Sequence, residues 1–388
     1  MYFFLSAVAR FGASFIFATY VTFLLSRGLN LLEVNLVNMT YFATVLLMEI
    51  PTGAIADVYG RKVSYVMSSL LLAGGFFIYG VSGSLLGFII AEMTAAIGKT
   101  CESGAYQAWL VDSLKHEGCK KPLNHVLARE NAISTVAGVC AAIIGSRVAD
   151  INPVLPWYCG GFIMLLSSVL TLVLMKEEYF VRSKYSILEK FTEMKQTIKT
   201  SVKFARQDRV VRFVLLLGLL QFFAIQAPNM QWQPMYLGVS GKHAMLGWIW
   251  AGIALAMAIG GIMSARILRL CRNDEKKALV IVQVGIGVGI LLAGAFRLLP
   301  ISLAIFLLHE GTRGAFKPLN DVYLNDNIPS SERATIISCS SIVRHLGGMV
   351  GLLISGIIAL RISIPVAWIV SGAFLVLATL VIAKNGKH

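Results

Sequence analysis

The chain has 388 residues, 57% of them hydrophobic and only 14% charged, with 34 Lys and Arg against 20 Asp and Glu for a net charge of +14. A soluble domain carries about a quarter charged residues, so this composition, with a mean hydropathy of +0.74, excludes a water-soluble globular enzyme and defines an all-α integral membrane protein. The six cysteines (Cys101, Cys119, Cys140, Cys159, Cys271, Cys339) show no metal-type or redox-type spacing; they read as small apolar residues, and no disulfide, metal site or cofactor is expected.

Apolar runs of about 20 residues are spanning helices. Twelve can be placed, at 2–27, 34–57, 63–82, 84–111, 123–149, 153–175, 211–238, 243–269, 278–297, 301–327, 333–360 and 363–384. No basic segment precedes the first and no small-residue cleavage site follows it, so it reads as a retained helix. Arg10 falls within it, and Glu49 within the second. The segment Gly53-Ala54-Ile55-Ala56-Asp57-Val58-Tyr59-Gly60-Arg61-Lys62 then sets a carboxylate, a turn and two cations between the second and third spans. Gly60 supplies the unhindered backbone for a hairpin, and Arg61 sits close enough to Asp57 to pair with it.

The fourth span carries Lys99 and Glu102, three apart on one face that Tyr106 and Trp109 continue. Glu92 stands isolated on the same span, without an assignment. Arg129 and Glu130 lie at one end of the fifth, where snorkelling suffices. The chain breaks its apolar pattern over 176–210, dividing into a six-helix bundle at 1–175, a linker, and a second six-helix bundle at 211–388. In the linker, Ser186 to Glu189 has the form of a capping box. Ile187, Phe191, Met194, Ile198, Val202 and Ala205 line one helical face opposite Lys190, Lys195, Lys199 and Lys203, as in a basic amphipathic helix lying on a membrane surface.

The seventh span groups Gln221, Gln226, Asn229, Gln231 and Gln233 around Pro228. On the tenth, His309, Arg313 and Lys317 form an i, i+4, i+8 stripe, and Glu310 can reach Arg313. The eleventh carries Arg344 and His345. Basic residues concentrate in the loops on one side (Arg61, Lys62, Lys115, Lys120, Lys121, the linker, Arg266 to Lys277, Arg333, Lys384). That asymmetry puts both termini in the cytoplasm. The positive charge is therefore topological, and no nucleic-acid partner is expected.

The 53–62 segment resembles the signature of the major facilitator superfamily of secondary transporters. Gly53, Asp57, Gly60, Arg61 and Lys62 match it, whereas Ile55 replaces the usual Leu and Val58 a common basic residue. The resemblance implies two pseudo-symmetric six-helix bundles, a cavity lined by spans one, four, seven and ten, and a conformational gate at those five matching residues. Weak echoes agree with internal repetition: Gly104-Ala105-Tyr106 parallels Gly314-Ala315-Phe316, and Gly261 and Arg269 mirror Gly53 and Arg61, with Ala265 in place of the aspartate.

A charge in hydrocarbon is costly and marks a transport path by default. Glu102 and Glu310 are the candidates for proton coupling. Arg10, Lys99, Tyr106, Gln226, Asn229, His309, Arg313, Lys317 and Arg344 are the candidates for substrate binding. Lys99–Glu102 and Glu310–Arg313 are also readable as ion pairs that fix helix packing, and His309 and His345 as hydrogen-bonded structural residues. The surplus of cations points to an anionic or zwitterionic solute, because arginine pairs bidentately with carboxylate and phosphate. No phosphate-cradling loop or catalytic constellation is visible, so neither direct ATP drive nor an enzyme is expected. Glu49-Ile50-Pro51-Thr52-Gly53 and Gly104–Asp112 followed by Ser113-Leu114 resemble bacterial drug and metabolite efflux members, whereas Ala137–Gly145 lacks the proline of many drug antiporters; neither signal fixes direction, and proton-coupled export is favoured over uptake. The alternatives are a proton symporter importing an anionic metabolite and, in another class, a receptor or scaffold that keeps the fold without cycling. The expected setting is a monomer among the lipids of a bacterial inner membrane.

Overall fold

The computed structural model describes residues 1–118, 122–177, 208–328 and 330–385, and among these every regular element is a helix. In chain order they are α1 (Tyr2–Ser14), α2 (Tyr20–Ser26), α3 (Leu31–Tyr59), α4 (Arg61–Val81), α5 (Leu85–Glu102), α6 (Ala105–His116), α7 (Leu123–Ile151) and α8 (Leu155–Leu174). There follow α9 (Arg209–Ala224), α10 (Gln226–Ser240), α11 (His243–Leu270), α12 (Glu275–Ala295), α13 (Leu299–Asn327), α14 (Ser330–Arg361) and α15 (Ile364–Asn385). The amphipathic helix read from Ser186 to Ala205 lies outside the described residues.

Three expected spans are broken, each for a local reason. The first is interrupted by turns over 15–19, where the β-branched and aromatic run Phe15-Ile16-Phe17-Ala18-Thr19 is a poor helix former. The fourth breaks at Ser103, in extended backbone, and Gly104, at φ 81°. Glycine accepts that left-handed conformation at no steric cost. The seventh breaks at Ile225 because Pro228 has no N–H to give the carbonyl four residues back. Gln226 Nε2 donates to the Phe222 carbonyl (3.1 Å) beside this break.

Among the described residues, nine helices are long and apolar enough to cross a membrane, counting Arg209–Gly238 as one. The helices that fall short are α1–α2, α5–α6 and α13. The first pair is too short once broken, α5 carries Glu92, Lys99 and Glu102, and α13 carries Glu310, Arg313, Lys317 and Asp321.

The contacts divide the chain into two compact units. One takes the described residues within Met1–Leu29, Thr40–Thr192 and Gly241–Ala251; the other takes those within Asn30–Met39, Glu193–Ser240 and Gly252–His388. Within the first, α1 packs on α7 and α8, and α4 on α5 and α8. Within the second the same pattern recurs: α9 packs on α14 and α15, and α12 on α13 and α15. The first turns of α3 belong to the second unit, where Asn35 Nδ2 donates to the Leu352 carbonyl (2.7 Å). Close approach through small residues drives this packing, since lipid gives helices no hydrophobic reason to associate. On α11 a Cβ at Gly260 would collide with the Gly311 carbonyl of α13, while Gly83 has open space around it. Gly260→Val is therefore expected to lower the melting temperature and the yield of monodisperse protein. Gly83→Ala should leave both within error in a fluorescence-detected thermal ramp.

Candidate functional site

The charged residues of α13 do not act as one stripe. Helical spacing puts His309, Glu310 and Arg313 on the turns beside α9–α10 and α11, and the fold encloses them: His309 and Glu310 are each 1% exposed. Arg313 Nη2 lies 2.9 Å from Glu310 Oε2, and Nη1 donates to Asn229 Oδ1 at 2.6 Å. A third contact, Arg313 Nη2 to Met257 Sδ at 3.5 Å, completes the seat. His309 Nε2 is 3.5 Å from Glu310 Oε1, and neither ring nitrogen makes a directed hydrogen bond. The carboxylate is thus held chiefly by charge. Lys317 turns elsewhere, to Asp321 at 2.6 Å, with its side chain 80% exposed.

The polar residues of the seventh span sort into two kinds. Asn229 reaches Arg313, whereas Gln231 Nε2 donates to the Ser355 carbonyl (3.1 Å) and Gln226 bonds back across the break to α9. Arg344 lies over the Phe222 ring (5.1 Å from its centroid), its Nε buried without a partner. His345 Nδ1 sits 2.8 Å from the Ser341 carbonyl.

In the first unit Lys99 Nζ pairs with Glu102 Oε2 at 2.7 Å, and both side chains keep about a third or more of their surface. Tyr106 Oη donates to the Tyr2 carbonyl (2.9 Å) and its ring packs against Tyr65 and Trp109. Arg10 is exposed and lies over the Phe17 ring. Glu130, read from the sequence as a snorkelling residue, instead accepts from the hydroxyls of Ser6 and Ser134. Only its polar neighbours one turn away or on another helix could have signalled this. Among the described residues no group of His, Cys, Asp and Glu could hold a metal ion.

At the 53–62 hairpin Gly60 adopts φ 103°, the conformation its turn requires. The Arg61 guanidinium, read from the sequence as close enough to pair with Asp57, pairs with Asp112 of α6. The sequence offered no cue to that pair, because 51 residues separate its members. Glu177 caps α4, its two carboxylate oxygens accepting from the backbone N–H groups of Arg61 (2.8 Å) and Lys62 (3.1 Å). An acid at a helix N-terminus is favoured by the unpaired donors and the dipole. Trp109 Nε1 fixes the neighbouring backbone by donating to the Lys176 carbonyl (2.9 Å). Asp57 and Lys62 are half-buried, and Gly53 has no atom where a Cβ would go.

A buried ion pair on α13 and polar, broken helices lie amid helices apolar enough to cross a membrane, which is the setting of a membrane transporter. The Major Facilitator Superfamily model matches residues 2–308 and 243–385, and the chain belongs to that superfamily. It is similar to the uncharacterized MFS-type transporter YxaM of Bacillus subtilis (strain 168), with 24% identity over 368 residues, 92% of this chain and 88% of that protein. The solved structure of the nucleoside transporter NupG matches it with a TM-score of 0.82 at 13% identity, covering 100% of this chain and 98% of that one. The D-xylose-proton symporter matches with a TM-score of 0.71 at 12% identity, covering 99% of each chain. At these identities the structural likeness speaks for the fold alone.

If the hairpin ion pair carries load, Arg61→Ala and Asp112→Ala should each destabilise the protein. The double variant should cost less than their sum by about 0.5–3 kcal/mol. Melting curves of the four proteins in one detergent test this, and strict additivity would exclude the pair as a contributor.

Proposed function

We propose that the chain is a secondary active transporter of a small organic solute, working by alternating access and coupled to protons. In this reading its helices form twelve spans in two six-helix halves, 1–175 and 211–388, joined by 176–210. Both termini face the cytoplasm of a cell whose inner membrane holds the protein as a monomer. Gly53, Asp57, Gly60, Arg61 and Lys62 serve as the conformational gate.

One observation carries the coupling proposal: Glu310 is 2% exposed at its side chain, whereas its partner Arg313 keeps 18%. The guanidinium is the accessible end of a buried pair. An anionic group arriving at Arg313 competes with Glu310 for it, and a proton on Glu310 removes the competitor. Proton and anion then bind in the same sense, which favours symport and uptake of a carboxylate- or phosphate-bearing metabolite. Export has no comparable geometric support. Arg313 and Asn229 take the anion in this scheme, with His309 beside the acid. Lys99 with Glu102, and Arg10, Tyr106, Gln226, Lys317 and Arg344, remain proposed contributors in outer roles. That the solved relatives include a protein named as a proton symporter is compatible with this reading.

The test is uptake into proteoliposomes from a panel of anionic metabolites, with and without an imposed pH gradient. Glu310→Gln should abolish accumulation against a gradient and spare solute-for-solute exchange. Arg313→Ala should weaken binding by roughly 10- to 100-fold, the loss of about 1.5–3 kcal/mol for a charge-assisted bond. Arg313→Lys should fall between, since the charge stays and the planar fork goes. Restored transport in the Arg313→Ala, Glu310→Ala double variant would reduce the pair to a packing device. Uphill accumulation retained by both Glu310→Gln and Glu102→Gln would remove these acids from the coupling step.

The gate has its own signature. Asp57→Asn should lower the transport rate while leaving expression intact, and should raise the thiol-reagent accessibility of cysteines placed on the face bearing 53–62. No change in either quantity would remove Asp57 from the gate.

A further inference from the structure

A second buried acid lies in the first unit, away from every residue used above. Glu92, two turns into α5, is 6% exposed, yet no ion pair to it occurs among the described residues. Its surroundings are aromatic and hydroxylic. Tyr79 Oη of α4 donates to Glu92 Oε2, and Tyr20 Oη of α2 lies 3.3 Å from Tyr79 Oη. Tyr20 also hydrogen-bonds the Glu92 carboxyl, so both phenols serve it. Trp157 of α8 stacks on Tyr79 at 4.1 Å and 18°, and Phe88 packs on its other flank at 5.6 Å.

The other charged or titratable neighbours do not supply a counter-charge. The nearest basic side chain on α2's end, Arg27, spends its guanidinium on the Gly80 carbonyl (3.2 Å) and the Phe23 ring. Tyr41 of α3 is a further titratable group within reach of the Glu92 charge, and as a phenol it brings no positive charge. Trp157 presents an indole N–H with no partner and no charge. Lys99, on the same helix, is held two turns away by Glu102.

We infer that Glu92 is a proton-binding site, loaded and emptied through the hydroxyls of Tyr79 and Tyr20. An unpaired carboxylate in a low-dielectric enclosure is very costly, and binding a proton removes the charge. A metal cation does not fit the alternative role: hard cations take six or more oxygens, and this enclosure offers one carboxylate and two phenols between packed rings. Trp157 and Phe88 are 0% exposed and Tyr79 is 1% exposed, so no solute enters either. Tyr20 is only half-buried, at the break that ends the turns of 15–19, and so provides the outer end of the chain. In loading, a proton bonds to Tyr20 Oη as the Tyr20 hydrogen passes to the Glu92 carboxylate, directly or by way of Tyr79 Oη, whose own hydrogen then passes to Glu92 Oε2. Both phenols end neutral, the carboxylate becomes a carboxylic acid, and release runs the same transfers backwards.

The inference does not depend on the transport reading, because the test reads protonation and not flux. Full-length protein in lipid nanodiscs is followed by infrared difference spectroscopy between acidic and alkaline buffer. Wild type should show a carboxylic-acid C=O band of an apolar environment that appears with acid. Glu92→Gln should lose it, while Glu310→Gln and Glu102→Gln should keep it. Tyr79→Phe should shift the band, and the Tyr20→Phe, Tyr79→Phe double variant should also slow its exchange in deuterated buffer by at least about tenfold, the effect of removing both hydroxyls that hydrogen-bond Glu92. A band unchanged in Glu92→Gln would overturn the site. Unchanged exchange and position in the double variant would overturn the relay, and that variant also decides the matter if Glu92→Gln fails to fold.

Discussion

The structure is organised by the cost of placing charge among hydrocarbon. Every ionisable side chain on a membrane-crossing helix must find a partner, a proton or water, and each of three arrangements here, two buried and one half-buried, is a different answer. Glu310 takes a guanidinium that is shared with an asparagine and a thioether. Glu130 takes serine hydroxyls. Glu92 takes a tyrosine and has no cation within the described structure. The apolar helices supply the walls that make these choices consequential, since the same groups at a wet surface would be worth little.

That cost also explains where the backbone breaks. The first, fourth and seventh spans are interrupted at 15–19, Ser103–Gly104 and Ile225, while the more uniformly apolar α12 and α15 run unbroken. A break frees backbone N–H and C=O groups, which lipid cannot satisfy. Such breaks belong where protein or water surrounds the chain, and they fall on segments that also carry Arg10, Lys99, Glu102, Gln226 and Asn229. Polar side chains and irregular backbone thus keep the same company for the same reason.

Much of this was legible in the sequence, and the rest was hidden by long separations along the chain. Apolar run length located the helices, and Gly60 announced its turn because only glycine takes φ 103° cheaply. The i, i+3 spacing located Lys99–Glu102 and Glu310–Arg313. Helix spacing failed for Lys317, which was grouped with Arg313 by periodicity but pairs with Asp321 one turn further on. It gave no pointer from Arg61 to Asp112, because the local Asp57 was the more visible carboxylate. Glu92 looked unassignable because its partners come from α2 and α4, and tyrosines in a membrane chain read first as interfacial anchors.

The two enclosed acids differ in a way that bears on how such a chain cycles. Neutralising Glu310 frees a cation, so the event is felt by whatever else Arg313 can bind. Neutralising Glu92 frees nothing: it leaves a hydroxyl chain and stacked rings around an uncharged group. The first arrangement suits an exchange of partners between proton and solute, and the second suits a change in how tightly its helices close. Its rings come from α2, α4, α5 and α8, and Tyr79 touches the ring of Trp157, the Glu92 carboxyl and the Tyr20 hydroxyl at once. A proton gained or lost there therefore acts on the packing of four helices through one side chain, without requiring any solute to be near.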